Sequence, residues 1–391
     1  MSKAEVVIIG GGVVGASVAY HLAERGCSDV LVLERAASLG EGSTGKATGG
    51  ARAQFETDIN IQQSLYSLDF FRDWDFDCEY DPKGYLLLAA SERQLAYLSR
   101  TGERQIELGY EGVHLVTQAE IEAMVPGLNV SDVVGGSFGP RDGFINPLAV
   151  LEGFLVGASQ RGARVLTGVD VRKIATDKGR VTSIVTADGV IECTNVVIAA
   201  GAWSARLAAS VGIDLPVTPL RRQIVWAHAP EPLPEDLPMV IDLQDGFHFR
   251  PAIDFTHGAA AQDPRAVMFA WPDPEEPPSF ATSFDESILD KVGERAYHRA
   301  PFLAGSKIIY EKCRAGLYEN SPDHHAILGG CEVEGLYFAN GFSGHGVMHS
   351  PATGRALAEI ILDGEASFLD VSSLHIDRFA KGELLHETAF I

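Results

Sequence analysis

The sequence predicts an α/β fold in which helices cover a parallel sheet, and three observations carry this prediction. An apolar run, Glu5–Ile9, leads directly into the glycine-rich segment Gly10–Gly15. A helix-length stretch then connects this segment to a second apolar run, Asp29–Leu33. Near the other end of the chain, another apolar run leads into the glycine-rich loop Gly341–Gly346 and a further helical stretch. Continuous apolar runs are typical of strands buried on both faces of a parallel sheet.

The first glycine-rich segment has the spacing of a phosphate-binding turn. Gly10, Gly12 and Gly15 form a GxGxxG pattern between the first strand and the first helix. In this pattern the first glycine permits the tight turn and the second lets a pyrophosphate approach the backbone. The third lets the helix pack closely on the sheet. The segment therefore predicts a dinucleotide site.

The helix start and the second strand complete this motif. Val13 and Val14 begin the predicted helix, whose N-terminus attracts a pyrophosphate. The second strand ends in Glu34, 19 positions beyond Gly15, where an acid accepts hydrogen bonds from an adenosine ribose. Arg35 follows as a candidate contact to the same nucleotide. The arrangement predicts a Rossmann-like domain, but it does not separate FAD from NAD.

The charge balance excludes several kinds of partner. The 391 residues include 31 Lys and Arg against 53 Asp and Glu, which gives a formal net charge of −22. Such a field repels nucleic acids and anionic membrane surfaces. Hydrophobic residues make up 46% and charged residues 21% of the chain. This composition is that of an ordinary folded globular protein.

The cysteines and the N-terminus indicate a reducing compartment. The five cysteines are scattered and include no CxxC pair, which argues against a disulfide framework or a zinc site. His324 and His325 are adjacent, so their side chains diverge and predict no metal site. The N-terminus lacks the features of a signal peptide, and no apolar stretch is long enough to span a membrane. We therefore predict a cytoplasmic protein.

Three further segments carry a resemblance to a known family. They are GEGSTGKATGGARAQF at 40–55, VVIAAGAW at 196–203 and LYFANGFSGHGVM at 336–348. Together they resemble the D-amino-acid oxidase superfamily of FAD enzymes, most closely its sarcosine oxidase β-subunit-like branch, which includes glycine and sarcosine oxidases. The resemblance covers nearly the full length of the chain.

The resemblance implies which residues contact FAD. Ser43 and Thr44 are expected at the pyrophosphate and ribityl chain, and the loop from Thr48 to Arg52 beside the isoalloxazine ring. Small residues in that loop permit close approach to the ring. Amides of the second glycine-rich loop are expected to stabilise negative charge on the reduced flavin. The remaining expected contacts are Gly49, Gly50, Val171, Ala200, Gly201, Trp203, Gly344, His345, Gly346, Val347 and Met348.

Because these motifs fall in separated segments, the predicted FAD domain is discontinuous. It comprises 1–80, 143–217 and 318–391, and a mixed-sheet substrate-binding domain comprises 81–142 and 218–317. Within 164–203, turns at 177–179 and 187–189 predict an antiparallel meander. Arg221 and Arg222 lie where the chain crosses between the domains. They either hold a substrate carboxylate or form salt bridges at the crossing.

The resemblance implies oxidation of the C–N bond of an amino acid or N-alkylated amine. Hydride passes to flavin N5, and the resulting imine hydrolyses. Arg52 is predicted to bind the substrate carboxylate, because its planar guanidinium can form two parallel hydrogen bonds. Gln54 is a weaker neighbouring candidate. Tyr318 and His345 are predicted to lie at the substrate site.

Two positions depart from the family pattern. Monomeric sarcosine oxidases have lysines where this chain has His248 and Met348. A protonated histidine can still assist electron transfer to O₂, whereas a methionine cannot pair with a carboxylate. The sequence therefore leaves oxidase and dehydrogenase behaviour open.

The mode of flavin attachment also follows from the resemblance. Gly316 stands where covalent members have a flavin-linking cysteine, so we predict non-covalent FAD, with Cys313 as an alternative tether. No histidine occurs between His114 and His228, where β subunits of heterotetrameric sarcosine oxidases attach FMN. This absence favours an independently active FAD protein over a β-type subunit.

The main hypothesis is an FAD-dependent amine or amino-acid oxidoreductase that prefers a secondary amine, such as an N-methyl or cyclic imino acid. A D-amino-acid or glycine oxidoreductase is one alternative. Another is an FAD-binding subunit of a multi-subunit dehydrogenase without independent turnover. The electron acceptor is O₂ or another molecule, and a homo-oligomer and a heteromeric assembly both stay open. An NAD-dependent dehydrogenase would leave Ser43, Thr44 and the loop 341–346 without a role.

Overall fold

A computed structural model describes residues 3–252 and 263–388. The α-helices of this part are α1 (Val13–Glu24), α2 (Ser43–Lys46), α3 (Asp58–Asp73), α4 (Glu92–Glu107), α5 (Gln118–Met124), α6 (Pro147–Gln160), α7 (Ser204–Ala209), α8 (Ile288–Arg299), α9 (Ser350–Asp363) and α10 (Asp377–Lys381). The strands are β1 (Val6–Ile9), β2 (Val30–Leu33), β3 (Gly50–Ala51), β4 (Tyr85–Ala89), β5 (His114–Val116), β6 (Gly135–Gly139), β7 (Gly143–Phe144), β8 (Arg164–Leu166), β9 (Val171–Asp177), β10 (Arg180–Thr186), β11 (Gly189–Glu192), β12 (Asn195–Ile198), β13 (Thr218–His228), β14 (Met239–Asp242), β15 (His248–Pro251), β16 (Ala266–Ala270), β17 (Lys307–Ile308), β18 (Arg314–Asn320), β19 (Ile327–Gly330) and β20 (Leu336–Asn340).

The first sheet is mostly parallel and has the strand order β19-β20-β12-β1-β2-β8. Only β19 runs antiparallel to its neighbour. The strands β1, β2 and β12 are apolar and almost wholly buried, as expected for a sheet covered on both faces. The carboxyl ends of β1 and β12 open at the same edge, where a parallel α/β sheet binds its ligands. The predicted α/β class with a Rossmann-like part is confirmed.

Helices α1, α3, α6 and α9 cover one face of this sheet. Small residues let them approach closely: a Cβ on Gly354 of α9 would lie 2.2 Å from Oγ of Ser17 in α1. The start of α6 is fixed by Asn146, whose side-chain oxygen accepts from the N–H groups of Leu148 and Ala149 at 3.0 and 3.1 Å. Such a cap satisfies amides that the helix itself leaves unpaired.

The other face of the first sheet packs against a small antiparallel sheet, β11-β10-β9. Its turns lie at Lys178–Gly179, both with positive φ, and at Gly189. Residues with positive φ match the twist of a tight hairpin. The meander predicted from the turn signals is therefore present, and it places Val171 at the edge of the first sheet.

The second large sheet is mixed, with the order β17-β13-β16-β15-β14-β4-β6-β5 and with β18 paired to β13. Its strands come from the segments predicted for the substrate-binding domain, except that β18 spans the predicted boundary at residue 318. Strand β13 is long and pairs with β16, β17 and β18 in turn. None of the described helices is long and apolar enough to cross a bilayer. Cytoplasmic location stays a prediction.

Candidate active site

A cavity of about 670 Å³ is lined by residues of both large sheets and of the loops at their edges. This size lies within the usual range for small-molecule and cofactor sites. Arg52, His248, Tyr318, His345 and Met348 all line it. So do these predicted cofactor contacts: Gly10, Gly12, Val13, Val14, Glu34, Arg35, Ser43, Thr44, Thr48, Gly49, Gly50, Val171, Ala200, Gly201, Trp203, Gly344, Gly346 and Val347. Gly15 and Gln54 lie outside the lining.

The turn after β1 is built around close backbone contacts. Gly10 has φ +117°, and a Cβ there would lie 2.2 Å from the carbonyl oxygen of Ala199. A Cβ on Gly15 would lie 2.1 Å from the carbonyl oxygen of Gly10. Both positions therefore require glycine, Gly10 beside the cavity and Gly15 behind it. Gly15 acts by letting α1 pack on the turn, which is the role expected of the third glycine.

The N-terminus of α1 faces the cavity without a side-chain cap from Gly12. Thr44 supplies one acceptor, because its Oγ1 accepts from the N–H of Val13 at 3.1 Å. Ser43 donates to the carbonyl oxygen of Leu317 at 2.7 Å and so ties α2 to β18. A helix start in a cavity lining, with a glycine at the N-cap position, suits a phosphate.

Glu34 is held at the end of β2 by two backbone amides. Its carboxylate oxygens accept from the N–H groups of Gly11 at 2.9 Å and of Ala36 at 2.8 Å. A carboxylate has further lone pairs, so it can still accept from hydroxyl groups in the cavity. The Arg35 guanidinium lies 4.5 Å from the centre of the Trp203 ring. These groups fit an adenosine ribose and its flanks.

Arg52 enters the cavity directly after β3 and is 4% exposed. Its Nη1 donates to the carbonyl oxygen of Gln54 at 2.6 Å, and its guanidinium stacks 4.1 Å from the centre of the Phe55 ring. Its Nη2 is buried without a hydrogen-bond partner. No carboxylate of the described residues lies within ion-pair distance of it. A buried cation without a carboxylate partner favours an anionic ligand.

Gln54 does not reach the cavity that Arg52 lines. Its amide donates to Oδ2 of Asp142 at 2.9 Å and to the carbonyl oxygen of Tyr85 at 3.0 Å, and it accepts from Ser137 at 2.7 Å. Because protein groups already satisfy it, the prediction that Gln54 contacts substrate finds no support in the geometry. Gln54 instead anchors the segment that carries Arg52.

Asp142 is the centre of this anchor and was not predicted from the sequence. It is fully buried and accepts from the N–H of Ala53 at 2.7 Å and from the Tyr110 hydroxyl at 2.7 Å, besides Gln54. Burial raises the pKa of Asp142 to about 6, although the hydrogen bonds from these donors act to lower it. A lone Asp in the Arg141–Gly143 turn gives no sequence signal of such a role, because its partners lie far away along the chain.

Neutral histidines surround the Arg52 side of the cavity. Burial holds the pKa of His345 well below its usual range and lowers that of His349 to about 3, with Arg52 adding to both effects. Nε2 of His349 lies 2.9 Å from the Ser64 hydroxyl. Burial also lowers the pKa of His248, whose Nδ1 bonds the carbonyl oxygen of Gly246 at 2.9 Å. The expectation of a cationic His248 that assists O₂ chemistry therefore has no support here.

The loop that precedes α9 leaves main-chain donors unpaired. Among the described residues, no main-chain acceptor takes the N–H groups of Gly346, Val347 or Met348, which all line the cavity. Tyr318 packs against this loop, since a Cβ on Gly344 would lie 2.4 Å from its ring. Three successive amides without a main-chain acceptor in a cavity lining can serve as donors to developing negative charge.

Comparison with known proteins assigns this arrangement to a family. Residues 5–360 match the DAO family model, which describes FAD-dependent oxidoreductases. The chain belongs to this DAO family. FAD-dependent oxidoreductase domain-containing protein 1 of Xenopus laevis is 32% identical, with 98% of this chain and 84% of that protein covered. The predicted family and the FAD cofactor are thereby confirmed.

Solved structures share the fold of this FAD-dependent oxidoreductase. L-proline dehydrogenase from P. horikoshii is 28% identical, with a TM-score of 0.89 over 98% of this chain and 100% of that one. Glycine oxidase from Geobacillus kaustophilus is 25% identical, with a TM-score of 0.82 over 97% of this chain and 99% of that one.

The loop that should lie beside the flavin ring is fixed by two arginines that sequence reasoning missed. Arg314 donates to the carbonyl oxygen of Ala47 at 3.0 Å, and Arg250 donates to that of Thr48. Arg250 is fully buried, and no carboxylate of the described residues pairs with it. The DAO protein thus places fixed positive charge behind this loop.

Arg221 and Arg222, which the sequence did not separate, have different surroundings. Arg221 forms a two-pronged ion pair with Glu276, at 2.9 and 3.0 Å, outside the cavity lining. Arg222 lines the cavity, and its Cζ lies 5.6 Å from the centre of the Tyr318 ring. Arg221 therefore fits the prediction of a salt bridge at the domain crossing, and Arg222 lies where it could contact a substrate carboxylate.

No described group of three or more His, Cys, Asp and Glu side chains is arranged to hold a metal ion. His325 bonds the Thr57 hydroxyl at 2.9 Å and the carbonyl oxygen of Asp323 at 2.7 Å. It therefore has a structural role at this position.

Glu319 predicts a pH dependence of FAD binding. It lines the cavity near Gly201, no described cation pairs with it, and burial raises its pKa to about 7. Below that pH the neutral carboxyl tolerates an anionic cofactor, whereas above it the carboxylate repels it. We expect the FAD dissociation constant to rise with pH above about 7, by up to about tenfold per unit. Fluorescence titration of apoprotein from pH 6 to 9 measures this.

A matched pair of variants tests the assignment to Glu319. Glu319→Gln should flatten the pH dependence, while Asp170→Asn, at another lining position, should leave it unchanged. An unaltered slope in Glu319→Gln would assign the titration to another group.

Proposed function

We propose that this FAD-dependent oxidoreductase oxidises the C–N bond of an amino acid whose nitrogen is secondary, such as an N-methyl or cyclic imino acid. The observation that carries the proposal is Arg52, a buried guanidinium in the cavity lining that has no carboxylate partner among the described residues and whose Nη2 makes no hydrogen bond. A substrate carboxylate satisfies that donor and fixes the neighbouring carbon in place. The similarity to L-proline dehydrogenase, named for a cyclic imino acid, supports a secondary amine.

Bound FAD supplies the acceptor for a hydride from the carbon next to nitrogen. The chain does the rest of the work by binding and orienting. Arg52 holds the carboxylate, and the amides of Gly346–Met348 offset negative charge as it develops. The neutral His345 and His248 add no positive charge to that of Arg52, and the positive charge of Arg52 favours the uncharged form of the amine. The imine product hydrolyses in water.

FAD is held without a covalent bond in this proposal. Gly316 lines the cavity, and a Cβ there would lie 3.2 Å from Cβ of Lys46. The alternative tether, Cys313, lies outside the lining and bonds the Trp226 backbone instead, accepting from its N–H at 3.3 Å. Acid precipitation of the holoenzyme should release the flavin to the supernatant. Yellow colour kept in the pellet after washing would contradict this.

A primary amino acid is the second candidate substrate, since glycine oxidase shares the fold at 25% identity. Anaerobic addition of N-methylalanine, proline, D-alanine or glycine to the holoenzyme distinguishes the two. We expect the 450 nm flavin band to bleach faster with the secondary amines, by about tenfold or more. Faster bleaching by D-alanine or glycine would replace the proposal with the second candidate.

The same titration separates an enzyme from an assembly subunit. If no amine bleaches the flavin and another chain copurifies, the protein is an FAD-binding subunit without turnover of its own. Repeating the productive reaction in air and measuring peroxide decides between O₂ and another acceptor.

A further inference from the structure

Interior and cavity-lining arginines of this protein differ in their partners: some pair with carboxylates, Arg250 donates to backbone carbonyl oxygens, and the buried Arg52 and half-buried Arg222 lie in the cavity lining. Arg299 pairs with Asp132 at 2.7 Å and with Asp242 at 2.8 Å, and Arg378 pairs with Asp323 at 2.8 Å. In contrast, Arg52 and Arg222 line the cavity, and neither has a carboxylate within 4.0 Å among residues 3–252 and 263–388. Removing a cation from water is costly unless an anion compensates it. Both cavity arginines therefore lack a structural counter-ion.

The surroundings of Arg222 strengthen this contrast. Its Nε is buried without a hydrogen-bond partner, and its Nη1 reaches only the carbonyl oxygen of Arg221, at 3.3 Å. The acids that act on it from a distance are Glu276 and Asp273. Each of these acids already has an ion-pair partner: Arg221 pairs with Glu276 at 2.9 Å, and Lys291 pairs with Asp273 at 2.7 Å. Among the described residues no acceptor takes the Nη2 group of Arg222, so this donor stays available to a ligand.

Tyr318 interacts electrostatically with both arginines, and Arg222 lies 5.6 Å from the centre of its ring. Arg222 stands opposite Gly316 in the β13–β18 pairing, and Tyr318 lies two residues further along β18, on the same face of the sheet. Burial raises the pKa of the Tyr318 hydroxyl, and Arg222 and Arg52 both oppose that effect. Part of the wall that the second large sheet contributes is aliphatic, with Ile224, Met239, Ile241 and Ala270 in the lining. Besides Arg35, Lys46 and Arg206, the cavity lining thus has two arginines near the Tyr318 phenol, and part of the wall is aliphatic.

We propose that the substrate is a secondary amine with two carboxylates, one held by Arg52 next to the reacting carbon and one held by Arg222 across the Tyr318 ring. Methylene groups that join the two carboxylates lie against the aliphatic wall. N-methylaspartate and N-methylglutamate represent this class, and they differ in the reach between their carboxylates. The proposal rests on the C–N oxidation proposed above, and it adds a second substrate carboxylate that Arg222 binds.

Binding of redox-inert thioethers to the holoenzyme tests the second anion without turnover. In (methylthio)acetate and 2-(methylthio)succinate, sulfur replaces the amine nitrogen, and only the latter has two carboxylates. We expect the dicarboxylate to bind about tenfold or more tightly by flavin difference spectroscopy and by calorimetry, since a hydrogen bond to a charged group is worth that much. Arg222→Met should abolish this preference and Arg222→Lys should keep part of it. Arg221→Met is the matched control, because its side chain lies outside the cavity lining.

Three results would overturn the proposal. They are equal affinity of the wild-type protein for both thioethers, a preference that survives in Arg222→Met, and loss of FAD from Arg222→Met. The last result would make Arg222 a cofactor ligand.

Flavin bleaching by N-methylalanine, N-methylaspartate and N-methylglutamate distinguishes failure of the C–N oxidation proposal from failure of the two-carboxylate proposal. If no amine bleaches the flavin but the dicarboxylate thioether still binds more tightly than the monocarboxylate, the C–N oxidation proposal is wrong and the proposed site for two carboxylates (the dianion site) is supported. If the amines bleach it equally, and the thioethers bind equally, only the dianion site fails.

Discussion

Replacing Arg52 by Met should lower kcat/KM for the productive amine by about 100- to 1000-fold, with FAD still bound. Arg52 is buried in the cavity lining, stacks on Phe55 and has an Nη2 group without a hydrogen-bond partner. Loss of its guanidinium leaves the substrate carboxylate buried without a partner, so the effect should be large. Anaerobic stopped-flow reduction at varied substrate concentration measures it.

Arg52→Lys is the appropriate second variant, because it keeps the charge but not the planar pair of donors. It should recover only part of the lost kcat/KM. The ratio of absorbance at 450 and 280 nm controls for FAD content in both variants. Wild-type kinetics in Arg52→Met with full FAD content would exclude Arg52 as the carboxylate ligand and would remove the main support for the proposed function.

Replacing Asp142 by Ala should destabilise the protein by about 3–5 kcal/mol. Its carboxylate is fully buried and accepts from the backbone of Ala53 and the side chains of Gln54 and Tyr110. Truncation leaves the Ala53 N–H, the Tyr110 hydroxyl and one of the two amide N–H groups of Gln54 without this acceptor, and it removes the anchor of the segment that carries Arg52. Urea denaturation of the holoenzyme and of each variant at equal FAD concentration measures the change in unfolding free energy.

Two milder variants show whether the network causes this loss. Tyr110→Phe removes one donor and should cost about 1 kcal/mol, and Asp142→Asn keeps an acceptor and should cost less than the Ala variant. The folded-state pKa of Asp142 is raised to about 6, so its contribution to stability should fall as pH rises from about 4 to 6. Asp142→Asn should lack that slope. An Asp142→Ala protein as stable as Tyr110→Phe would refute the anchoring role.

The acidic composition acts against ligand binding at this site. With a net charge of −22, the overall field repels both FAD and a carboxylate substrate. Attraction must therefore come from nearby groups. The structure provides them as the start of α1, the unpaired amides of Gly346–Met348, and the arginines Arg52 and Arg222.

The sequence by itself determined the parallel sheet, the glycine-rich turn and the cofactor loops. These features depend on local requirements that are visible in short segments. Gly10 must adopt a positive φ next to Ala199, and a doubly buried strand such as β1 must be apolar throughout. A wrong residue at such a position is costly whatever the rest of the chain does.

Only the tertiary structure decided which charged and polar groups face a ligand. Arg221 and Arg222 are adjacent, yet Arg221 pairs with Glu276 whereas Arg222 lines the cavity. Gln54 follows Arg52 by two positions but is satisfied by Asp142. Burial, not residue type, leaves His248 and His345 neutral. Pairing and desolvation depend on neighbours that are distant along the chain, and these neighbours become known only when the strands and helices are packed together.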